Sequence, residues 1–520
     1  MAIMTCVDHA DVAVVGAGPA GLMAAIAAAE RGRKVILIEQ LPRPGRKLLA
    51  TGGGRCNLTN TLPAAELAAR FGRHGRFMMP ALDLLSPSGL RSFFDGLAVP
   101  TCVPDGFHVY PASDSAATVL AAIDGRARRL GVIFRLGVRA TGLWLSDQEL
   151  LRGGSPHPPR RPAQSLGAVG AETHRATIQV ENALRGDKAQ APAPRLLGLL
   201  TDGGPVAAPC VVLATGGRGY PDLGATGTGY ALARQAGHTI VDPVPALVPL
   251  VIRETEFRQC AGVSLPVRSA SGRTDAATRR PAPARRANAG ARPAGPGGDA
   301  ALYGDAATSP AVRVWIDLPR HPRAGVTGDL LFTHRGVSGP AILDISGDVA
   351  ALLASRPTVP IRIDLAPGIT AAAWLDRFDR RQAGRSAATV RALLADHLPK
   401  SLAAAIAEFA GVDPAARPSE VPRPARQRLA TVLTGLPLTA TATEGWDAAM
   451  ITRGGVSLKE VDPHTLRSRR LAGLFFAGEI LDLDGPSGGF NLQWAFSSGR
   501  LAGTASAECD VRSAKSELRP

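Results

Sequence analysis

The feature that most restricts the fold of this chain is a glycine loop between two short apolar runs near the N-terminus. The loop consists of Gly16, Ala17, Gly18, Pro19, Ala20 and Gly21, with the spacing G-x-G-x-x-G. An apolar run at residues 11–15 precedes it, an Ala-rich stretch follows it, and the run Val35–Glu39 ends in an acid. This order of strand, loop, helix, strand and acid predicts a β-α-β unit with a parallel strand pair, which is typical of dinucleotide binding.

Each position of this unit has a physical role. Gly16 permits the tight turn, Gly18 carries no side chain that would block a pyrophosphate, and Gly21 lets the helix pack close to the sheet. The helix N-terminus offers free N–H groups to phosphates, and Glu39 can accept hydrogen bonds from both ribose hydroxyls. A glycine-rich surface turn before an Ala-rich helix is the alternative, but it does not explain the position of Glu39.

Three further segments favour FAD over NAD. The first, residues 44–57, contains Gly52, Gly53 and Gly54 in a row together with basic side chains, which suits a long anionic ligand. The second is a strand that ends in Thr215 and Gly216. A flexible basic linker is the alternative interpretation of the first segment.

The third segment lies near the C-terminus. A predicted strand from Leu474 leads to Gly478 and Glu479, and in FAD folds a carboxylate here holds the ribityl chain. A glycine-rich turn then opens a helix through about Ala502, whose N-terminus could lie beside the flavin pyrimidine carbonyls and stabilise negative charge on the reduced flavin.

These segments together resemble one family of bacterial flavoproteins, which includes YhiN-type, BaiN-type and aminoacetone oxidase-like proteins. The matching motifs lie at residues 45–60, 214–221 with Gly224, Gly227 and Gly229, 331–341, 452–461 and 476–495. They span nearly the whole chain in order. The resemblance implies FAD contacts at Glu39, Arg46, Lys47, Arg55, Cys56, Asn57, Glu479, Asn491 and Leu492.

The segments and the resemblance together give one predicted FAD site. Besides the residues of the first loop, it contains Glu39, Arg46, Lys47, Gly53, Gly54, Arg55, Cys56, Asn57, Thr215, Gly216, Gly478, Glu479, Gly489, Phe490, Asn491 and Leu492. No metal site is predicted, because the six cysteines are scattered and lack metal-ligand spacings.

The predicted fold class is α/β, a Rossmann-type FAD/NAD(P)-binding domain split in sequence, with an inserted β-rich unit and a small helical cap. The FAD-binding domain is expected at 1–245 and again at 446–520. The inserted β-rich unit is expected at 246–370, with a disordered-looking segment near 268–310, and the helical subdomain at 371–445. The resemblance implies the same split arrangement.

The formal charge of +15 raises the question of a nucleic-acid partner. Residues 152–195 carry a net +4 and residues 268–298 a net +6, so most of the excess lies in two Pro/Gly/Ala-rich insertions. Solvated insertions are the favoured interpretation, and a weak polyanion contact is the alternative. No segment predicts a membrane span or a signal peptide, so a cytoplasmic protein is expected.

The predicted function is FAD-dependent oxidoreduction of a small organic substrate by hydride transfer to or from the flavin. The alternative is a flavin-binding regulator or nucleic-acid adaptor. No second complete dinucleotide unit is found, so NAD(P)H is expected only as a transient electron donor. The candidate proton-transfer residues are His334, Tyr220 and Lys47, and a structural role is the favoured interpretation of His334. Cys56 is considered as a thiol of lowered pKa, but a small residue lining the flavin is favoured.

Overall fold

The structure is a computed structural model that describes residues 7–146, 195–265, 268–269, 308–309, 312–383 and 389–509. All but the last residue of the predicted insertion at 152–195, and nearly all of the segment 268–310, lie outside these residues. Among the described residues, no helix is long and apolar enough to cross a membrane.

The strands are numbered in chain order. They are β1 Asp8–His9, β2 Val12–Val15, β3 Val35–Glu39, β4 Thr59–Asn60, β5 Thr101–Cys102, β6 His108–Pro111, β7 Ile133–Leu136, β8 Ala140–Leu145, β9 Leu196–Thr201, β10 Val206–Ala207, β11 Cys210–Leu213, β12 Ile240–Ala246, β13 Leu250–Ile252, β14 Ser264–Leu265, β15 Arg268–Ser269, β16 Thr308–Ser309, β17 Val312–Ile316, β18 Val326–Gly328, β19 Leu330–Phe332, β20 Gly336–Ser338, β21 Val359–Asp364, β22 Leu436–Thr443, β23 Ile451–Val456 and β24 Leu474–Phe476.

The α-helices are numbered in the same way. They are α1 Pro19–Ala29, α2 Arg46–Ala50, α3 Ala64–Ala69, α4 Gly75–Leu84, α5 Pro87–Asp95, α6 Ala116–Arg129, α7 Thr228–Gln235, α8 Pro340–Leu353, α9 Ala371–Ala383, α10 Val390–Leu394, α11 Lys400–Phe409, α12 Arg423–Thr434 and α13 Phe490–Glu508. Short 3₁₀ turns lie at Thr51–Gly54, Gly72–His74, Pro221–Leu223, Thr255–Cys260, Pro418–Glu420, Leu458–Glu460 and Gly478–Ile480.

A five-stranded parallel sheet forms the centre of the Rossmann domain, in the order β24-β11-β2-β3-β7. Strands β2 and β11 are buried along their whole length. Such strands are apolar on both faces because helices cover both sides of the sheet. The β-branched runs that predict the first β-α-β unit therefore lie in the middle of this sheet.

The C-terminal part of the chain completes this sheet. Strand β24 pairs in parallel with β11, and helix α13 packs against α1. The two helices touch backbone to backbone, since a Cβ added to Gly499 would lie 2.3 Å from the Ala20 carbonyl oxygen, and one added to Gly503 would lie 2.2 Å from that of Ala24. The predicted Rossmann domain, split in sequence, is confirmed.

The inserted unit is built on an eight-stranded sheet of order β14-β19-β20-β13-β22-β21-β17-β18. Helices α9 to α12 pack on it, and Trp374, Phe378 and Leu429 share one apolar core with sheet residues such as Val314 and Leu436. Strand β22 follows these helices and returns to the sheet. The numbered domain limits given above stay a prediction.

Helices α3, α4 and α5, residues 64–95, are not predicted from the sequence. They pack on the last helix through aromatic contacts, with Phe71 against Phe490 and Phe94 against Phe496 at centroid distances of 6.2 Å and 5.4 Å. This layer lies beside the small antiparallel sheet β4-β6-β5. Helices α4 and α5 therefore contact the C-terminal helix, which also contacts strands β11 and β24 of the parallel sheet.

Candidate cofactor site

The first glycine loop contains two kinds of glycine, which differ in the space around the missing side chain. A Cβ at Gly16, whose φ is +100°, would lie 2.5 Å from the Ala214 carbonyl oxygen, and one at Gly21 would lie 1.8 Å from that of Gly16. A Cβ at Gly18 would meet nothing within 4 Å, and Gly18 is the N-cap of α1. The fold itself thus requires Gly16 and Gly21, whereas Gly18 leaves open space at a helix N-terminus.

Glu39 lies half-buried at the end of β3 and turns its carboxylate back toward this loop. One oxygen accepts the Ala17 N–H at 2.8 Å and the other accepts the Leu41 N–H at 2.9 Å. Each oxygen keeps a lone pair for a further donor. The predicted hydrogen bonds to ribose hydroxyls therefore remain compatible with the geometry, although the acid also orders its own loop.

A cleft opens at the carboxyl end of β2, lined among others by Gly16, Glu39 and Thr215. The hydroxyl oxygen of Thr215 is buried and has no hydrogen-bond partner among the described residues. On the cleft's rim the Gln40 side-chain amide donates to the Gly224 carbonyl at 2.7 Å. An unpartnered buried hydroxyl is costly in a folded protein, and a bound ligand would satisfy it.

The segment that begins at Gly45 lies directly against the first glycine loop. The Gly45 N–H donates to the Ala17 carbonyl at 2.9 Å. Gly45 has a φ of +67°, and a Cβ there would lie 2.4 Å from Leu120 Cδ1. The short helix α2 that follows exposes Arg46 and turns Lys47 inward, where its Nζ lies 2.8 Å from Glu479 Oε2.

The triple-glycine turn Thr51–Gly54 is mostly exposed. Gly52, Gly53 and Gly54 all have positive φ, and a Cβ at Gly53 would meet nothing within 4 Å. After it, the Arg55 guanidinium lies 4.3 Å from the centre of the Tyr110 ring and 2.5 Å from Asp114 Oδ1. Arg55 is therefore held in place by an aromatic face and a carboxylate.

Cys56 and Asn57 connect this turn to strand β4. Burial raises the pKa of the Cys56 thiol to about 12, which favours a small buried residue over a thiolate of lowered pKa. With its amide oriented to suit its neighbours, Asn57 accepts the Gly489 N–H at 3.2 Å and donates to the Thr59 carbonyl at 2.8 Å. Asn57 thus joins the 45–60 segment to the C-terminal glycine turn.

Glu479 is the centre of a polar cluster contributed by three distant segments. Besides Lys47, it accepts the Thr452 N–H through Oε1 at 2.9 Å, and the Thr452 hydroxyl accepts the Arg218 N–H at 2.7 Å. Gly478 beside it is buried, and its carbonyl accepts the Trp494 indole N–H at 3.2 Å. The carboxylate is thereby fixed next to the start of α1, since a Cβ at Gly478 would lie 2.9 Å from that of Ala20.

The glycine turn before α13 is closed by Asn491. Its side chain accepts the Gly485 N–H and donates to the Gly485 carbonyl, each at 2.9 Å. Gly489 has a φ of +84°, and a Cβ there would lie 2.6 Å from the Thr59 carbonyl oxygen. The first N–H groups of α13, at Phe490, Asn491 and Leu492, have no acceptor within the helix, as at every helix N-terminus.

The structure thus brings most of the predicted residues into one continuous arrangement. Thr215 borders the nucleotide cleft and Gly216 follows it in the chain, Lys47 contacts Glu479, and Asn57 contacts Gly489. Among the proton-transfer candidates, His334 is exposed in the turn between β19 and β20, and Lys47 is engaged by Glu479. Tyr220 is half-buried at a φ of +58°. Whether each predicted residue contacts a cofactor stays a prediction.

Sequence reasoning missed several residues of the site. Thr452 and Asn60 lie inside motifs that carry the family resemblance, yet their roles become visible only through the contacts with Glu479 and with the Gly488 carbonyl. His108, whose Nδ1 lies 2.5 Å from Asp105 Oδ2, lies beside Gly488 and gave no local signal. Asp344 is a further case, because its partner is 143 residues away.

The residues present fit FAD. The open space at Gly18, the unpartnered Thr215 hydroxyl and the free N–H groups of two helix N-termini suit a long dinucleotide. The 45–60 segment contacts both the first loop and the C-terminal turn, and so connects these two parts of the site. No group of His, Cys, Asp and Glu among the described residues could hold a metal ion.

The chain matches the family model described as "HI0933-like protein Rossmann domain" over residues 10–152 and 162–505. It is 31% identical to the 3-dehydro-bile acid delta(4,6)-reductase of Clostridium scindens, over 96% of this chain and 99% of that protein. It is 26% identical to the ribosomal RNA dihydrouridine synthase of Escherichia coli, over 94% of this chain and 96% of that protein.

Among solved structures, the 3-ketosteroid delta1-dehydrogenase of Sterolibacterium denitrificans is similar with a TM-score of 0.45 and 12% identity, over 96% of this chain and 99% of that one. The family match spans nearly the whole chain, and its two parts cover both halves of the split Rossmann domain. The chain therefore belongs to the HI0933-like family, the family of FAD-dependent flavoproteins that its motifs resemble.

Proposed function

We propose that this chain is an FAD-dependent oxidoreductase that transfers hydride between the flavin and a small organic substrate. The observation that carries the proposal is the convergence of three glycine-rich segments from distant parts of the sequence. Gly45 is bonded to the first loop, Lys47 to Glu479, and Asn57 to the turn before α13. One extended cofactor is the ligand that requires all three at once.

Each half of the site has its own binding role in this proposal. On the nucleotide side, Gly18 and the N-terminus of α1 receive the pyrophosphate, and Glu39 receives ribose hydroxyls. On the flavin side, Glu479 accepts from the ribityl hydroxyls, and the N-terminus of α13 donates to the pyrimidine carbonyls. When bound, the flavin supplies a two-electron carrier that accepts or gives a hydride.

The protein's contribution to the chemistry is electrostatic and positional. The positive end of α13 stabilises negative charge at the flavin pyrimidine, which favours the reduced cofactor. Lys47 offsets the charge of Glu479, so that the carboxylate does not oppose this effect. A dihydronicotinamide is the proposed electron donor, and it would bind transiently because the described residues contain no second dinucleotide-binding β-α-β unit.

The names of two relatives point to one reaction class for this proposal. A delta(4,6)-reductase and a dihydrouridine synthase both saturate a C=C bond, and in both rings that bond is conjugated to a carbonyl group. We therefore propose a carbonyl-conjugated alkene as the substrate class. The overall reaction adds a hydride from the reduced flavin and a proton from the protein or solvent.

A nucleic-acid substrate is the second candidate, favoured by the match to a ribosomal RNA-modifying enzyme over 94% of this chain. In that case the uracil ring of an RNA would take the place of the small ring substrate. Binding to RNA should then weaken steeply with rising salt, because phosphate contacts release counterions. A small neutral enone should show no such dependence.

The test is anaerobic reduction of the purified, FAD-loaded protein, followed by a screen of acceptors. We expect a yellow protein that bleaches with NADH or NADPH and recovers its colour on addition of a cyclic enone. Ribosomal RNA, in place of the enone, tests the second candidate. A folded, colourless protein that binds no added FAD would refute both.

A further inference from the structure

Asp344 crosses from the inserted unit to the turn that opens α13. It lies in helix α8 of the inserted unit, and its Oδ1 accepts the Ser487 N–H at 2.8 Å. Ser487 belongs to the turn of residues 485–489, which we call the flavin turn. A residue of the inserted unit thus bonds directly to the backbone on which the flavin side of the proposed site depends.

The flavin turn is held from three directions. Asn491 closes it from its own helix, and the Asn60 side-chain amide donates to the Gly488 carbonyl at 3.1 Å from strand β4. Asp344 holds the third side, at Ser487. The first two contacts lie within the Rossmann domain, whereas Asp344 links the inserted unit directly to the turn.

Asp344 is largely enclosed by the protein around it. Most of helix α8 is buried, but Asp344 keeps partial solvent access. Burial raises its pKa to about 6, and the Ser487 N–H and hydroxyl act in the opposite direction because they stabilise the carboxylate. Asp344 is therefore an enclosed carboxyl group that holds the Ser487 backbone and keeps partial contact with solvent.

The neighbouring charges are already paired with one another. One turn along α8, Asp348 Oδ1 lies 2.5 Å from Arg453 Nη1, and Arg453 Nε lies 3.0 Å from Asp484 Oδ2. The absent side chain of Gly347 makes room for this arginine, since a Cβ there would lie 2.9 Å from its Cζ. Arg453 is thereby shared between two carboxylates, and the described contacts give Asp344 hydrogen bonds but no cation.

We propose that Asp344 is a positioning residue, which fixes the flavin turn from the inserted unit and so sets both the affinity for the flavin and its reduction potential. The proposal rests on the proposed function, because it requires flavin at the N-terminus of α13. An accepted hydrogen bond orients the turn, and the carboxylate charge opposes electron uptake nearby. The first effect needs only an oxygen acceptor, whereas the second needs the charge.

The two effects are separated by two substitutions in the full-length protein. We expect Asp344→Ala to weaken FAD binding about tenfold, because Ser487 loses its partner. Asp344→Asn keeps the acceptor oxygen, so it should restore the affinity to within about twofold of the wild type. At pH 7.5 the same Asn variant should show a higher flavin midpoint potential, and at pH 5 the difference should shrink.

FAD affinity is measured by quenching of flavin fluorescence, and the potential by dye-linked reduction monitored in the visible spectrum. Asp376→Ala, at an exposed position on helix α9 of the same unit, is the control and should change neither quantity. Unchanged affinity in Asp344→Ala together with an unchanged potential in Asp344→Asn would overturn the proposal. If the Ala variant does not fold, the potential of the Asn variant decides alone.

A failure of the proposed function looks different. In that case the wild-type protein itself binds no FAD, and the flavin spectrum is absent before any substitution is made. A wild-type protein that binds FAD, with Asp344 variants indistinguishable from it, contradicts only the role of Asp344.

Discussion

The two ends of the proposed site are built in different ways. The nucleotide side, residues 12–39 with Thr215, is largely one continuous β-α-β unit whose key glycine contact, Gly21 with Gly16, is local. The flavin side, residues 45–60 with 478–493, is assembled from contacts such as Gly489 with Thr59 and Lys47 with Glu479. Local contacts form with little loop-closure cost, whereas the second set requires the complete split domain.

The largest difference is expected between two glycines of the nucleotide side. Gly21→Ala places a Cβ 1.8 Å from a backbone oxygen, so helix α1 must move away from the sheet. We expect a loss of about 3 kcal/mol in the free energy of unfolding, and a colourless protein. Urea denaturation and the visible spectrum measure the two effects.

Gly18→Ala is the matched substitution three residues earlier. Its Cβ would meet nothing within 4 Å, and its backbone is extended, so the stability of the apoprotein should stay within about 0.5 kcal/mol of the wild type. FAD affinity should nevertheless fall at least tenfold, because the methyl group occupies pyrophosphate space. Equal stability losses for the two variants would show that the space at Gly18 is not a ligand site.

Substitution of Glu39 tests whether this carboxylate orders the backbone of the nucleotide side in the absence of a ligand. Glu39→Ala leaves the N–H groups of Ala17 and Leu41 without their acceptor, which should cost about 2 kcal/mol. FAD affinity should fall more than this stability loss implies, since ribose also loses its acceptor. Glu39→Gln retains one acceptor oxygen, so its stability and FAD affinity should lie between those of the wild type and the Ala variant. Identical melting curves for the Ala variant and the wild type would contradict the structural role of Glu39.

The sequence predicts the nucleotide side better than the flavin side, because the contacts of the nucleotide side are local and those of the flavin side join distant segments. The strand Val35–Glu39 coincides with its predicted bounds. Helix α1, which the Ala-rich stretch predicts from about Gly21 to Arg31, begins and ends about two residues earlier, because local periodicity determines its position only approximately. On the flavin side the glycine turns and Glu479 were predicted, but Thr452, Asn60 and Asp344 were not. Their roles depend on partners that are far apart in sequence, and a single sequence carries no local signal for such pairs.

The pH dependence of stability tests the flavin side. In Asp344 a carboxyl group with an ordinary pKa of 3.8 has its pKa raised to about 6 in the folded state. The folded state then holds more protons than the unfolded one between these values, so this group lowers stability as pH rises from about 4 to about 6. About one pH unit above the folded-state pKa the loss is complete, and it is constant beyond that pH.

Asp344→Asn removes that loss. At pH 7.5 the free energy of unfolding of the variant apoprotein should exceed that of the wild type by about 1–2 kcal/mol, a range that allows for partial solvent access. At pH 4, where the wild-type carboxyl is protonated in the folded state, the difference should be no larger than the intrinsic effect of the substitution. Thermal melts across this range measure the difference. Parallel curves for the two proteins would mean that burial does not disfavour the charged carboxyl.

The smallest effect is expected at the exposed triple-glycine turn. Gly53 has a φ of +65°, which an L-residue adopts at a cost of about 1 kcal/mol, and no neighbour would clash with an added Cβ. Gly53→Ala should therefore lower apoprotein stability by about that amount. If the turn lies against the cofactor, FAD binding should weaken in addition, as at Gly18. A stability loss with unchanged FAD affinity would move this turn out of the cofactor site and leave Lys47, Asn57 and the C-terminal turn as the flavin side.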